Sequence, residues 1–322
     1  MKPIQDLPPG LRAALHFCSA RLEQSGADAP RLSAELLLAK ALGLDRNALL
    51  KRLILEPKAV LPRPALQEFA ELIARRAAGE PAAYILGRKE FYGREFAVTP
   101  DTLIPRPETE LLIDLALEYG RGPGFAGATP SFADFGTGTG CIAVTLALEL
   151  PGWRGIAVEK SPSALRVARD NAARLGAKNL CLALGDFRIP PVAPASLDLL
   201  ISNPPYVGEA EYRTLSREVR AFEPKSALVP CSGNRRTQAG RLSGIPPAGE
   251  ASGLEDAEAL LELARTLLKP GGLLLMETGS TQGPALLSRL QGWSKARLHK
   301  DLAGLDRVIS GSPQDPGDPV FL

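Results

Sequence analysis

Apolar residues follow two different periods along the chain. In the first quarter the period is helical. Leu11, Leu15, Cys18 and Leu22 recur at i, i+4, i+7 and i+11, Leu32, Leu36 and Ala39 repeat that face, and Leu66, Phe69 and Ile73 do so again. This is the spacing of helices with one apolar face. Breaks at SGADAP, LGLD and LPRP separate them. Residues 1–78 are therefore expected to form a small helical bundle with its polar side open to solvent. No residue in it carries obvious chemistry, so it serves as a stabilising cap or as a docking surface, and we assign it to substrate docking. Residues 79–104 differ: Tyr84, Ile85, Phe91, Tyr92, Phe96 and Val98 surround Gly87 and Gly93. Aromatics flanking glycines predict a short β-hairpin linker.

From residue 105 to 322 short apolar runs alternate with helical stretches. SFADFG, RGIAVEK, NLCLALGD, LDLLISN and GGLLLMETG read as strands, and CIAVTLALEL and residues 254–268 as helices. Ser161 can cap a further helix with Pro162 in its first turn and Gly176 at its close. Such alternation predicts an α/β fold, a mainly parallel, doubly wound sheet. Two last runs, near ARLHKDL and DRVISG, are strand candidates whose direction the spacing does not fix. Residues 230–253, PCSGNRRTQAGRLSGIPPAGEASG, have no apolar period and are expected to form a flexible loop.

Composition narrows the function. Lys plus Arg is 38 and Asp plus Glu 36, a net charge of +2, so the chain does not look like a nucleic-acid binder. The four cysteines lack CxxC spacing and there are two histidines, which argues against a metal site and for a reducing, cytoplasmic compartment. The opening residues have no apolar core of a signal peptide, and no run of about 20 apolar residues suggests a membrane span.

Four segments carry chemistry. The first is DFGTGTG, Asp134 to Gly140, which follows a strand and opens a helix. Gly136, Gly138 and Gly140, with Thr137 and Thr139, would let a ligand approach the backbone, and the N–H groups of the helix start attract an anion. The second is Glu159, at the end of the next strand, where a carboxylate can accept from both ribose hydroxyls. Loop and acid point to an adenosine-containing cofactor, either a nicotinamide dinucleotide or S-adenosylmethionine. The third is Asp186-Phe187, an acceptor for an adenine amino group beside a ring that can stack on it, or equally a turn Asp and a core Phe.

The fourth, Asn203-Pro204-Pro205-Tyr206, ends the strand LDLLIS and borders the cofactor loop, which places Asn203 among the expected cofactor-binding residues as well. A planar NH2 on an sp² carbon has a delocalised lone pair and is a poor nucleophile. Two acceptors on its N–H bonds stabilise the positive charge that develops as it is alkylated. The Asn203 side-chain carbonyl and the Pro204 main-chain carbonyl can be those acceptors. The two prolines stiffen the backbone, and Tyr206 can stack on the planar group. A nicotinamide enzyme has no use for this arrangement, which favours S-adenosylmethionine as methyl donor, leaving S-adenosylhomocysteine.

LIPRPETELLID (103–114), PAAYILGRKEFYG, DFGTGTGCIAVTLA, VEKSPSALRVARDNA, LDLLISNPPYV, EPKSAL, METGSTQG and KDLAGLDRVISG together resemble the release-factor glutamine methyltransferases, the HemK/PrmC family. The resemblance spans about 80–311 and, more loosely, the helical N-terminal region. It implies a Rossmann-like S-adenosylmethionine-dependent methyltransferase domain behind a helical domain. It implies cofactor binding by Gly136 to Gly140, Glu159 and Phe187, and binding of a glutamine amide by Asn203 to Tyr206. The implied substrate is the Gly-Gly-Gln glutamine of class 1 peptide-chain release factors, methylated at N5 by a monomer without direct nucleic-acid contact. The chain departs from the family pattern at Glu159 (commonly Asp), Phe187 (often Trp), Leu305 (commonly Arg) and the long stretch after Leu228. Alternatives are the glutamine methyltransferases of a large-subunit ribosomal protein, the adenine N6-methyltransferases of nucleic acid, and a binding module without turnover.

Overall fold

A computed structural model describes residues 7–125, 129–230 and 251–313. The expected loop at 230–253 falls outside the described residues except at its two ends. The chain divides into two compact units, Met1–Arg88 with Ser216–Phe222, and Lys89–Leu215 with Glu223–Leu322.

The first unit contains α1 (Leu11–Gln24), α2 (Pro30–Ala41), α3 (Arg46–Leu55), α4 (Arg63–Ala77) and α5 (Ala82–Leu86). Its core gathers Leu11, Leu15, Cys18 and Leu22 from α1, Leu37 and Leu38 from α2, Leu49 from α3 and Phe69 and Ile73 from α4. On α2 the expected stripe is out of phase. Leu32 is 42% exposed, and the buried positions are Ser33, Ala34, Glu35, Leu37, Leu38 and Ala39. Glu35 can sit on that face because Arg31 and Arg46 pair with its carboxylate at 2.7 and 2.8 Å. Arg76 is buried for a similar reason: it donates to the Asp28 and Glu80 carbonyls at 3.2 and 3.1 Å and meets Glu218 at 2.7 Å. Tyr84 and Ile85 lie on α5 and not on a hairpin, and Gly87, at φ 74°, caps that helix.

The second unit opens with the predicted hairpin, β1 (Arg88–Phe91) and β2 (Arg94–Ala97). Tyr92 and Gly93 turn it with φ of 50° and 70°, the two-residue turn whose twist matches paired strands. After it come α6 (Glu110–Gly120), β3 (Ser131–Phe135), α7 (Cys141–Glu149), β4 (Arg154–Glu159), α8 (Pro162–Leu175), β5 (Leu180–Leu184) and β6 (Leu197–Ser202). Two short helices follow, α9 (Glu209–Tyr212) and α10 (Arg217–Phe222), the latter counting with the first unit. The chain then forms α11 (Glu255–Leu267), β7 (Leu268–Glu277), α12 (Gly283–Ser288), β8 (Trp293–Lys300) and β9 (Asp306–Pro313). The caps on α8 form as expected: the Ser161 side chain accepts from Ala164 N–H, and Gly176 ends the helix at φ 81°.

Seven strands make one sheet in the order β5-β4-β3-β6-β7-β9-β8. The first five are parallel; β9 runs antiparallel to both β7 and β8. Central strands are covered on both sides. Leu199 and Ile201 of β6 pack in the layer of α6 and α7, while Leu197 and Leu200 pack in that of α11. This explains the unbroken apolar run of β6, since a strand buried on both faces need not alternate. Strand order reverses between β3 and β6, which makes the crevice at their carboxyl ends the place where an open sheet of this kind takes a ligand. Among the described residues, no helix is long and apolar enough to cross a membrane.

Candidate active site

The sheet register sets the site. Phe135 of β3 pairs with Ser202 of β6, and Ser202 with Met276 of β7. Gly136, Asn203 and Glu277 are each the next residue, so three neighbouring strand ends present them along one edge. The Ser202 hydroxyl donates to the Phe135 carbonyl at 2.7 Å and fixes the first two ends together. On the other side of β3, Val158 pairs with Phe135 and Glu159 with Leu184, which adds the end of β4 and the turn after β5 to the same edge.

The glycine loop leaves β3 with Gly136, Gly138 and Gly140 at φ of 75°, 56° and 79°. Gly136 and Thr137 N–H donate to the Val158 carbonyl at 2.9 and 3.2 Å. The Thr137 hydroxyl donates to Asp134 at 2.5 Å. Burial pushes the Asp134 carboxyl up to about 7, the Thr137 hydrogen bond opposing and the charge of Glu159 adding to the rise. Buried Asn171 of α8 holds the far side: it donates to the Ala97 and Thr139 carbonyls at 3.0 and 2.9 Å and accepts from Ala97 N–H at 2.8 Å. The Glu159 carboxylate accepts from Gly138 N–H and from Ser161 N–H, both at 2.9 Å. It therefore braces the loop, and each oxygen keeps lone pairs for further donors. A side-chain carbon at Gly136 would meet no atom within 4 Å. At Gly136 the loop backbone thus faces open space, while at Gly140 it packs against Ala168 and Val144.

The turn after β6 is held from three directions. Asn203 Nδ2 donates to the Thr109 hydroxyl at 3.2 Å, and that hydroxyl donates to Glu277 Oε2 at 2.7 Å. With Nδ2 so engaged, the Asn203 side-chain carbonyl meets no donor among the described residues, and neither does the Pro204 main-chain carbonyl. Tyr206 O–H donates to Glu277 Oε1 at 3.3 Å. Gln282 Nε2 donates to the Tyr206 carbonyl at 2.8 Å, and Gly253 packs against the same carbonyl with no room for a side chain. Burial and the neighbouring Glu277 raise the Tyr206 phenol, which stays neutral. Glu277 is 1% exposed. Burial pushes its carboxyl up to about 7 against the pull of Thr109, Arg307 and Tyr206.

Asp186 and Phe187 follow β5 on the same edge, and both also meet Arg188. Asp186 accepts from Arg188 N–H at 2.9 Å. The Phe187 ring stacks near Phe135 at 6.4 Å between centroids, with the Arg188 guanidinium 4.8 Å from its centre. Arg188 in turn pairs with buried Asp256 of α11. Thr109, Asn171, Gly253, Glu277 and Gln282 hold the site but were not among its predicted residues. Thr109 lies inside LIPRPETELLID, Asn171 inside VEKSPSALRVARDNA, and Glu277 and Gln282 inside METGSTQG, and that position is their signal in the sequence.

Comparison with known proteins gives a consistent picture. Residues 13–87 match the family model described as the PrmC N-terminal domain, and residues 130–303 match a methyltransferase domain. The chain is 46% identical to the release factor glutamine methyltransferase of Nitratidesulfovibrio vulgaris (strain Hildenborough), over 96% of this chain and 97% of that protein. It is 38% identical to the protein of the same name from Koribacter versatilis (strain Ellin345), over 94% and 98%. With that of Cereibacter sphaeroides it shares 40% identity over 92% and 96%.

Proposed function

The chain belongs to the release factor glutamine methyltransferases, S-adenosylmethionine-dependent enzymes, and from that premise we propose that it methylates N5 of the glutamine in the Gly-Gly-Gln motif of class 1 peptide-chain release factors. The observation that carries the reading is the orientation of Asn203. Its NH2 is spent on Thr109, so its carbonyl is the end left for a substrate N–H, one strand away from the glycine loop.

When bound, S-adenosylmethionine supplies an electrophilic methyl group. Gly136 to Gly140 and Glu159 would hold it, with Asp186 and Phe187 at the adenine end. A glutamine amide entering the crevice would give its two N–H bonds to the Asn203 and Pro204 carbonyls. These acceptors fix the nitrogen in line and stabilise the charge it gains as it is alkylated. The ring of Tyr206, its hydroxyl tied to Glu277, would cover the planar amide. Once methylated, the nitrogen releases one proton to solvent water, no side-chain base being needed. We read the enzyme as a cytoplasmic monomer acting on protein without direct contact with nucleic acid, in keeping with a translational substrate and a net charge of +2.

The direct test is methyl transfer from labelled S-adenosylmethionine to a purified release factor and to its Gly-Gly-Ala variant. Label on the first alone is expected. Label on neither, with cofactor bound, would refute the substrate assignment and turn attention to ribosomal protein and then to DNA.

Glu159→Ala removes two charge-assisted hydrogen bonds to the glycine loop and the acceptor for ribose. It is expected to weaken cofactor binding by about one to two orders of magnitude. At saturating cofactor, kcat should change only a few-fold. Calorimetric titration reads this, and an unchanged Kd would remove Glu159 from the cofactor site.

A further inference from the structure

We infer that Glu277 is a positioning residue for methyl transfer: its carboxylate, acting through the Thr109 hydroxyl, keeps the Asn203 carbonyl turned toward the substrate amide. The inference rests on the reading of Asn203 as an acceptor and extends it to two residues that touch no substrate.

An asparagine amide is nearly symmetric in shape, so its orientation is set by its partners. Here the partners form a chain with one direction. An ionised carboxylate can only accept. Glu277 Oε2 therefore takes the Thr109 proton at 2.7 Å, leaving the Thr109 oxygen to accept from Asn203 Nδ2 at 3.2 Å. The other oxygen, Oε1, takes the Tyr206 hydroxyl proton at 3.3 Å. One buried carboxylate thus aims both the acceptor and the ring that would cover the amide. A protonated Glu277 has a proton to donate. Thr109 could then accept it and give its own proton to the Asn203 carbonyl, the amide would rotate, and an NH2 group would face the substrate NH2.

The groups that act on Glu277 come from every side of it. Tyr206 lies on the turn after β6, Arg307 on β9, Glu108 beside Thr109, and Cys141 at the start of α7. Burial raises both the Cys141 thiol, to about 12, and the Tyr206 phenol, so neither ionises near neutrality. Arg307 keeps its charge throughout, held by Asp301 at 3.2 Å. Of these groups the Glu277 carboxyl, pushed up by burial to about 7, is the one that changes state there; Asp134, pushed up to about 7 as well, lies in the glycine loop, and its titration is read in the pH dependence of the cofactor Kd. The active form is the ionised one, so kcat should rise with pH through about 7 and level off above it.

The experiment measures kcat on a release factor and the cofactor Kd for wild type, Thr109→Val, Thr109→Ser, Glu277→Gln and Asn203→Ala, with a pH profile for wild type and Glu277→Gln. Thr109→Val, which removes the hydroxyl at constant shape, is expected to lower kcat about 10- to 100-fold with the cofactor Kd kept. Thr109→Ser should recover most of that loss. Glu277→Gln should lose the rise through neutrality. Wild-type kcat in Thr109→Val, or an unchanged pH rise in Glu277→Gln, would overturn the inference. If Asn203→Ala alone falls, the relay fails and the acceptor reading stands; if Asn203→Ala keeps its kcat, the acceptor reading fails first.

Discussion

Asn203→Ala is expected to lower kcat by roughly two to three orders of magnitude, with the cofactor Kd kept within about twofold. The size follows from the chemistry. The variant removes one of two acceptors that act where charge develops, and a preorganised group of that kind contributes about 3–4 kcal/mol to the transition state. The fold should tolerate the change. Asn203 is only partly buried, and among the described residues its side chain bonds to Thr109. Single-turnover kinetics with the cofactor prebound, beside a calorimetric Kd, separate the two quantities. Loss of cofactor affinity in step with turnover would place Asn203 in the cofactor site alone.

Gly253→Ala should have the second-largest effect, though it lies 50 residues from Asn203 in sequence. Gly253 has φ of 93°, and an added side-chain carbon would stand 2.4 Å from the Tyr206 carbonyl oxygen, 2.8 Å from Gln282 Nε2 and 3.0 Å from Gly208 N. Two of those three atoms are backbone, so the Asn-Pro-Pro-Tyr turn must move to make room. Strain of the backbone and overpacking together are expected to cost about 3 kcal/mol of stability. The displaced turn should also lower kcat at least about tenfold, because small misplacements of acceptors are costly in rate. Chemical denaturation and kcat on the folded fraction read the two effects. A variant as stable and as fast as wild type would show that Gly253 does not support the turn.

Much of this site is legible along the chain because its elements are local. The glycine loop, Glu159 and the Asn-Pro-Pro-Tyr turn each end a strand, and strand ends can be read from short apolar runs closed by glycine or proline. The caps at Ser161 and Gly176 are local as well and stand where expected. Other features depend on tertiary structure. Leu32 is exposed because Glu35, paired by Arg31 and Arg46, occupies the inner face of α2, and apolar spacing does not register an ion pair. Tyr84 and Ile85 read as hairpin residues because a helix of five residues is too short to show a period. The antiparallel direction of β9 is set by pairing with β7 and β8, which spacing does not encode. Thr109 meets Asn203 across 94 residues and Glu277 across 168, so the relay exists only once the fold has brought the ends of β6 and β7 to the turn before α6.

The segment Ser216–Phe222 belongs by its packing to the first unit, where Glu218 pairs with Arg76 at 2.7 Å. That unit is therefore drawn from two separate stretches of the gene. A shortened protein starting after Arg88 would carry the later stretch without its arginine, and a chimera that borrows its first 88 residues from a relative would need that relative's version of 216–222 to match. A single crossover after Arg88 delivers only one of the unit's two stretches, so exchange of the whole unit takes three cuts, after Arg88, Leu215 and Phe222.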